Sequence, residues 1–553
     1  MLMGASNVSF NVSHLLRENA LRSPQKMATI LENGESLTFS EMERACCQNV
    51  SLFKKSGIKS GDRVATFVRP GLDFVPVIFA LFRLGAVPVF IDPGMSKSSM
   101  LQCIENSQCQ AMVGIPLAHL LKKIKPCFFK DIKISICLTN SRFVCRILRA
   151  VQMEKASLKK LSEGDPFIEA VSPNQLATIL FTSGSTGVPK GVEVSFGILM
   201  RQQQLLRETF GIADDEIDMV PFPLFALFSA AWGITSIIPA MNPAKPAKCS
   251  GKKLFNLMIR HQVTHSSGSP AIWKNVLEYC QTNNGSYKNL KRLLMAGAPV
   301  SEKLIKGWRE ILPTFGHVYT PYGATEALPL TFIADSELIA DCFDKTRAGK
   351  GTCVGQPIHG TQIKIIKITE GPISSIEDIE ELSEGAIGEI IVHSDVVTQK
   401  YFSKPEANRL AKISDAKNKM VWHRMGDLGY VDHKGRLWFC GRKDHRISTE
   451  IQTELYPDQL EAIFNQLCGV TRTALVGIPS SRWPSASTPV LMVEMKRQPK
   501  IEKLILLKAL ESEKTNLIKK VLFVKKFPTD VRHNIKINRQ ELSITAKNRI
   551  GIH

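Results

Sequence analysis

The chain has no CxxC pair among its 13 cysteines, and the adjacent thiols Cys46 and Cys47 lack metal-ligand spacing. A cysteine-held metal is therefore not indicated, and reduced, cytosolic thiols are the simplest account. The opening residues MLMGASNVSFNVSHLLREN hold no basic segment followed by an apolar core, which predicts no secretory signal. Long unbroken apolar runs are missing too. The most apolar stretch, FVPVIFALFRLGAVPVFIDPG, is interrupted by Pro76, Arg83, Gly85 and Pro88, and reads as a buried helix turning into a strand rather than a membrane span. There is no internal repeat and no long low-complexity tract. Zinc-finger spacing, an aromatic RNA-binding signature and a recognition-helix pattern are all lacking, so nucleic acid is not an expected partner.

What remains is an ordinary globular composition, 44% hydrophobic and 22% charged over 553 residues, too long for one hydrophobic core. The formal net charge of +20 is uneven: residues 122–160 carry eleven Lys/Arg against only Asp131 and Glu154. A solvated basic surface is the plain reading of such a run. RFVCRILRAV also interleaves basic and apolar residues as an interfacial helix does, so peripheral contact with anionic lipid, or with an acidic carrier protein, is the sharper one.

Helical and strand patterns alternate. Leu37 to Lys54 has helical apolar spacing with Ser40 as a candidate cap, GDRVATFV reads as a strand, and FVPVIFALFRLGAV as a helix leading into PVFIDPG. This predicts a large N-terminal layered α/β domain. Around Gly385, short alternating runs with glycines (GAIGEIIVHS, MGDLGYVDHKGRLWFCGRKD) predict β hairpins, a β-rich subdomain. From about Arg446 the alternation of LYPDQLEAIFNQL, TRTALVGI, PVLMVEM and IEKLILLKALESE predicts a small α+β C-terminal lid. The expected division is 1–440 and 441–553, at GRKD.

FTSGSTGVPKG, Phe181 to Gly191, follows the apolar run LATIL. From Gly184 it has the length of a Walker loop but not its chemistry. Pro189 stands where the second glycine would offer an N–H, and Gly191 where a hydroxyl would hold Mg²⁺. A P-loop NTPase is disfavoured. The loop still offers a polyphosphate the hydroxyls of Thr182, Ser183, Ser185 and Thr186, backbone N–H groups at Gly184 and Gly187, and the Lys190 cation.

TSGSTGVPKG resembles the phosphate-loop signature of the AMP-forming adenylating enzymes, which include acyl-CoA synthetases, luciferases and peptide-synthetase adenylation domains. Further segments resemble that family's motifs in its order: AGAP at Ala296 to Pro299 on the adenine side, PYGATE at Pro321 to Glu326 for ATP and Mg²⁺, MGDLGY for ribose, and GRKD for a hinge. The resemblance spans most of the chain. It implies a mobile C-terminal lid pivoting near Asp444, with ATP and Mg²⁺ as cofactors. It assigns Gly297, Ala298 and Pro299 to the adenine side, the face of Tyr322 to adenine stacking, and Gly323 to close backbone passage. Thr325 then bonds the α-phosphate, Glu326 ligates Mg²⁺, and Asp427 with Arg442 holds the ribose. His423 and His445 are read as structural or solvent-facing.

The family's C-terminal catalytic lysine corresponds to Lys536 in FPTDVRHNIKINRQEL, with Arg539 three residues on. Asn534 and Ile535 replace the usual small residue and glycine, so the local turn differs. Its implied role is to offset negative charge that grows at the α-phosphate during displacement by a carboxylate.

Two departures concern the second half-reaction. Thioester-forming members have a glycine-containing segment after the hinge, whereas GRKDHRISTEIQTELYPDQLE has none after Gly441. Their PLFH gate is PLFA here, with Ala226 in place of the ring. With FPLFALF, GTCVGQPI, GRLWFCGRKD and DVRHNIKI, these make the chain similar to the β-lactone synthetase branch of bacterial olefin biosynthesis. That branch implies a fatty 2-alkyl-3-hydroxy carboxylic acid whose own hydroxyl closes the ring, internal attack replacing a second substrate, and other enzymes of the same lipid pathway as partners. Phe222 to Met241 and Ser266 to Trp273 are the expected walls of an acyl cleft. A fatty acyl-CoA or acyl-carrier-protein ligase is the alternative enzyme, and a catalytically silent nucleotide-binding regulator the alternative of another class.

Overall fold

The computed structural model describes residues 10–92, 94–156, 163–182, 189–480, 483, 486–529 and 537–550. Two seven-stranded sheets form the layered α/β part. One runs, in order across the sheet, Val151–Met153, Ile134–Leu138, Ala111–Gly114, Arg63–Phe67, Val87–Ile91, Leu176–Thr182 and Lys190–Ser195. All its pairings are parallel except the last. The other is built around Arg292–Met295, His265–Gly268, Ile217–Met219 and Thr235–Ile238, also in parallel. Strands such as Ala111–Gly114, Thr235–Ile238 and Arg292–Met295 are buried at every position, as strands of a parallel sheet covered on both faces must be.

Helices cover these sheets for local reasons. In Phe39–Lys55 Thr38, rather than the expected Ser40, supplies the cap, because its hydroxyl accepts from the Glu41 N–H while the Glu41 carboxylate accepts from the Thr38 N–H. Ser40 lies one turn-position inside the helix. Phe74–Arg83 is buried along its whole length, which explains a run hydrophobic on all sides that does not cross a membrane. Among the described residues no helix is long and apolar enough to do so. Glu302–Ile311 lays Trp308 edge-on against Trp273, ring centroids 6.0 Å apart, and the Trp308 indole donates to the Trp273 carbonyl at 3.1 Å.

An eight-stranded antiparallel sheet follows, including Thr352–Pro357, Gly388–His393, Met420–Val431 and Leu437–Arg442. The last strand runs to Arg442, so Gly441 still pairs with Leu428 and Arg442 with Asp427. Beyond it lie a two-stranded ribbon, Ile447–Ser448 with Glu454–Leu455, and a three-stranded sheet flanked by helices Pro457–Asn465, Pro499–Ala509 and Arg539–Ile550. This small α+β unit has its own core, centred on Leu460, Phe464, Leu475, Leu491 and Ile505.

Glycine is sterically required at Gly355. It has φ +88°, and a Cβ there would lie 1.9 Å from the Phe332 carbonyl oxygen, whereas at Gly385, φ +77°, a Cβ would meet nothing within 4 Å. Gly385→Ala is expected to cost about 1–2 kcal/mol, the left-handed penalty alone. Gly355→Ala is expected to cost at least ~3 kcal/mol, because backbone must also move. Urea-unfolding midpoints of the two variants check the order.

Candidate active site

Several residues singled out from the sequence follow the carboxyl ends of strands in the two parallel sheets, where layered α/β folds place ligands. Thr182 ends its strand and faces Lys190 across the hairpin mouth. Gly297, Ala298 and Pro299 follow Arg292–Met295, with Gly297 at φ +88°. Tyr322–Ala324 follows His317–Tyr319. Ser183, Gly184, Ser185, Thr186 and Gly187, and the lysine Lys536, lie outside the described residues.

Asp427 is the best-defined group. It is buried, its Oδ2 accepts from the Tyr322 hydroxyl at 2.6 Å, and its Oδ1 lies 2.8 Å from Arg442 Nη1. The antiparallel register that sets Asp427 opposite Arg442 makes the ion pair a product of strand pairing. Burial and the neighbouring carboxylate push the Tyr322 phenol well above its ordinary value, so it keeps its proton and donates. A Cβ on Gly323 would lie 2.6 Å from the Ala327 carbonyl oxygen, so the tight turn back into Ala327–Phe332 demands glycine there. Gly191 is likewise confined, since a Cβ would come within 3.0 Å of Ile179 and the Phe181 ring. That packing occupies the place where a Walker loop would need its hydroxyl.

Thr325 and Glu326 form the turn between Tyr322–Ala324 and Ala327–Phe332. Two residues that sequence reasoning missed, Tyr401 and Lys412, lie beside Glu326. Tyr401 donates its hydroxyl to Glu326 Oε1 at 2.8 Å, and Lys190 Nζ sits 5.2 Å from the Tyr401 ring centroid. The segment around Tyr401 pairs along the Lys190 strand, through Val192↔Tyr401 and the Phe402 N–H to the Gly191 carbonyl at 2.7 Å, which fixes this arrangement. Lys412 donates to the Thr398 carbonyl and lies 5.8 Å from the same ring. Burial pushes Lys412 down to about 7, partly opposed by the Glu326 charge. His423 pairs across the strands with Lys412, and burial, with that lysine's charge, holds it well below its ordinary value.

A Mg²⁺ ion fits this donor set. Among the described residues no group of three or more His, Cys, Asp or Glu could hold a metal by protein ligands alone. One carboxylate, fixed by Tyr401 through Oε1 and leaving Oε2 to the site, matches the ordinary demand of Mg²⁺ for one or two carboxylates plus phosphate and water oxygens.

Just after Arg442 the chain is held by Lys443. Lys443 Nζ lies 3.1 Å from Glu389, which also pairs with Arg424 at 2.7 Å, both inside the protein. Asp444 is exposed, and Arg446 reaches the exposed Glu370. His445 is half-buried and pushed down to about 4 by burial. Arg539 is buried against Glu461 and 3.6 Å from Asp458, and the Thr529↔Ile537 bridge closes the base of the segment that carries Lys536. In the turn between Ile447–Ser448 and Glu454–Leu455, Gln452 adopts φ +60°, so a left-handed position is filled by a side chain.

The expected acyl walls divide. Ala226 is buried, while Phe225, Leu227 and Phe228 are half-buried, with Phe222, Phe225, Phe228 and Trp232 stepping along one face at 5.6–5.9 Å. A small cavity touches Phe225, Trp232, Ser267 and Leu294. Trp273, by contrast, is fully buried in the core.

A family model described as AMP-binding enzyme matches residues 16–402. The chain belongs to that family. It is an AMP-forming ligase, and its fold of parallel sheets, β-rich subdomain and small α+β unit is the adenylating-enzyme fold. The ligase is 37% identical over 502 residues to the olefin beta-lactone synthetase of Stenotrophomonas maltophilia, covering 89% of this chain and 87% of that one. With the olefin beta-lactone synthetase of Xanthomonas campestris pv. campestris it shares 38% over 523 residues, 92% and 91% of the two chains. Its fold matches the o-succinylbenzoate coenzyme A synthetase of Bacillus subtilis, solved with ATP and magnesium, at a TM-score of 0.73 and 19% identity, covering 96% and 98% of the two chains.

Tyr401→Phe leaves Glu326 unheld and is expected to raise the Mg²⁺ concentration for half-maximal pyrophosphate release about 10-fold, the usual effect of losing an outer-shell partner. A magnesium titration at saturating ATP measures it. Between pH 7 and its ordinary value of 10.5, Lys412 binds a proton in the unfolded chain that the native state does not. The native state therefore gains stability as pH rises through that window. Lys412→Met lacks this gain, so melting temperatures taken from pH 7 toward pH 10 should move in favour of the wild type.

Proposed function

We propose that the ligase adenylates a long-chain 2-alkyl-3-hydroxy carboxylate and closes it to a β-lactone. The observation that carries this reading is the 37–38% identity to two olefin beta-lactone synthetases across about nine-tenths of the chain. Ala226 in place of a gating ring and a post-hinge turn without glycine support it.

The substrate carboxylate attacks the α-phosphorus of ATP, the bond to the bridging oxygen breaks, and pyrophosphate leaves. Thr182, Lys190 and the hydroxyls and N–H groups of Ser183 to Gly187 hold the phosphates. Gly297 to Pro299, Tyr322 and Gly323 receive the base, and Asp427 with Arg442 the ribose. Thr325 bonds the α-phosphate, and Glu326 holds the Mg²⁺. When bound, that ion screens the phosphate charge against the incoming carboxylate. Lys536 neutralises charge growing at the α-phosphate. The substrate's 3-hydroxyl then attacks the acyl carbon, its proton is lost, and the carbon–oxygen bond to AMP breaks. Residues 441–553 act as the mobile lid, turning at Asp444 beyond the pinned Arg442 and Lys443. We place the enzyme in the cytoplasm, with other enzymes of the same lipid pathway and the membrane surface as sources of its apolar substrate.

Purified enzyme, α-labelled ATP and a 3-hydroxy fatty acid, without any thiol, should yield labelled AMP and a product lighter than the acid by one water. Requirement for CoA would assign the acyl-CoA ligase reading, and release of ADP would remove adenylation altogether. Lys536→Ala is expected to slow pyrophosphate release about 10²–10³-fold, the scale of losing one transition-state charge contact.

A further inference from the structure

We propose that the paired helices Pro116–Ile124 and Arg142–Leu148 dock the ligase on an anionic lipid bilayer. They pack side by side at the edge of the first parallel sheet. The inner face of the first is accounted for: His119 is buried with Nε2 3.0 Å from the Ile136 carbonyl, and Lys122 donates to the Ile132 carbonyl at 3.0 Å and to Ser135 at 2.8 Å. Its outer face presents Leu117, Leu120 and Ile124, 63%, 43% and 62% exposed. The second helix adds Phe143 and Ile147, 70% and 48% exposed, one turn apart. Five large apolar side chains thus stand in water on one adjoining surface, where single exposed residues would need no explanation.

Cations are set among them. Lys123, Lys125, Arg142, Arg146 and Arg149 are exposed, and among the described residues none has an ion-pair partner within 4 Å, unlike Lys130, which pairs with Glu105 at 3.7 Å. Over residues 116–156 the only acidic residues are Asp131 and Glu154, outside both helices. Apolar side chains interleaved with cations on short surface helices suit the headgroup boundary, where the former enter the acyl region and the latter meet lipid phosphates. A second copy of the chain is a poor occupant, since a two-fold contact would set these five cations against their equals.

The test uses the full-length enzyme in co-sedimentation with vesicles of phosphatidylcholine alone and of phosphatidylcholine with phosphatidylglycerol. Binding should be at least about 10-fold stronger to the anionic vesicles and fall as salt rises. The pair Phe143→Asp with Ile147→Asp, and separately the triple Arg142→Gln, Arg146→Gln, Arg149→Gln, should each cut it at least about 10-fold. ATP-dependent pyrophosphate release with a short, soluble acid should stay at the wild-type rate, which shows that both variants are folded. Equal binding to both vesicles, no binding, or binding that survives both variants overturns the proposal. So does wild-type self-association in sedimentation velocity, or capture by an acidic carrier protein, that these substitutions abolish while vesicle binding is absent.

Discussion

One carboxylate, Asp427, joins the parts of this enzyme that must act together. It belongs to a long strand of the antiparallel sheet, accepts from Tyr322 on the strand Tyr322–Ala324 that follows the parallel sheet, and pairs with Arg442 at the end of the neighbouring strand. Two adjacent strands and a third, about a hundred residues earlier in the chain, are thereby set to one another within about a hydrogen bond's length. The group is buried, so the pairing acts in a medium of low dielectric and holds its geometry. The acceptor is thus preformed instead of sitting on a loop that has to be ordered first.

Around Glu326 the same economy recurs with different chemistry. Strand pairing brings Tyr401 beside Lys190, and the tyrosine both fixes the carboxylate and faces the cation. Lys412 and His423 lie behind, buried and biased toward their neutral forms. At neutral pH His423 contributes no charge, while Lys412, pushed down to about 7, is protonated only in part.

Much of this was legible in the chain. Layered α/β alternation, the hairpins after Gly385 and the small α+β unit follow from periodicity and turn residues, which local physics dictates. Asp427 and Arg442 could be named because each lies in a compact motif. Tyr401 and Lys412 could not, because their association is created by register between strands, and register leaves no mark at any single position. The cap of Phe39–Lys55 was missed by two residues for a related reason: Ser40 and Thr38 both carry hydroxyls, and only the reciprocal bond from Glu41 distinguishes them. Trp273 belongs to the core because Trp308, far along the chain, fills the space beside it.

The ion pairs on either side of Asp444 differ in their surroundings. Glu389, with Arg424 and Lys443, is enclosed, whereas the Glu370 that meets Arg446 is 70% exposed. Dissolved ions weaken the second far more than the first. The contact that Arg446 makes is therefore sensitive to the electrolyte around it, while the one that Lys443 makes is insulated from that influence.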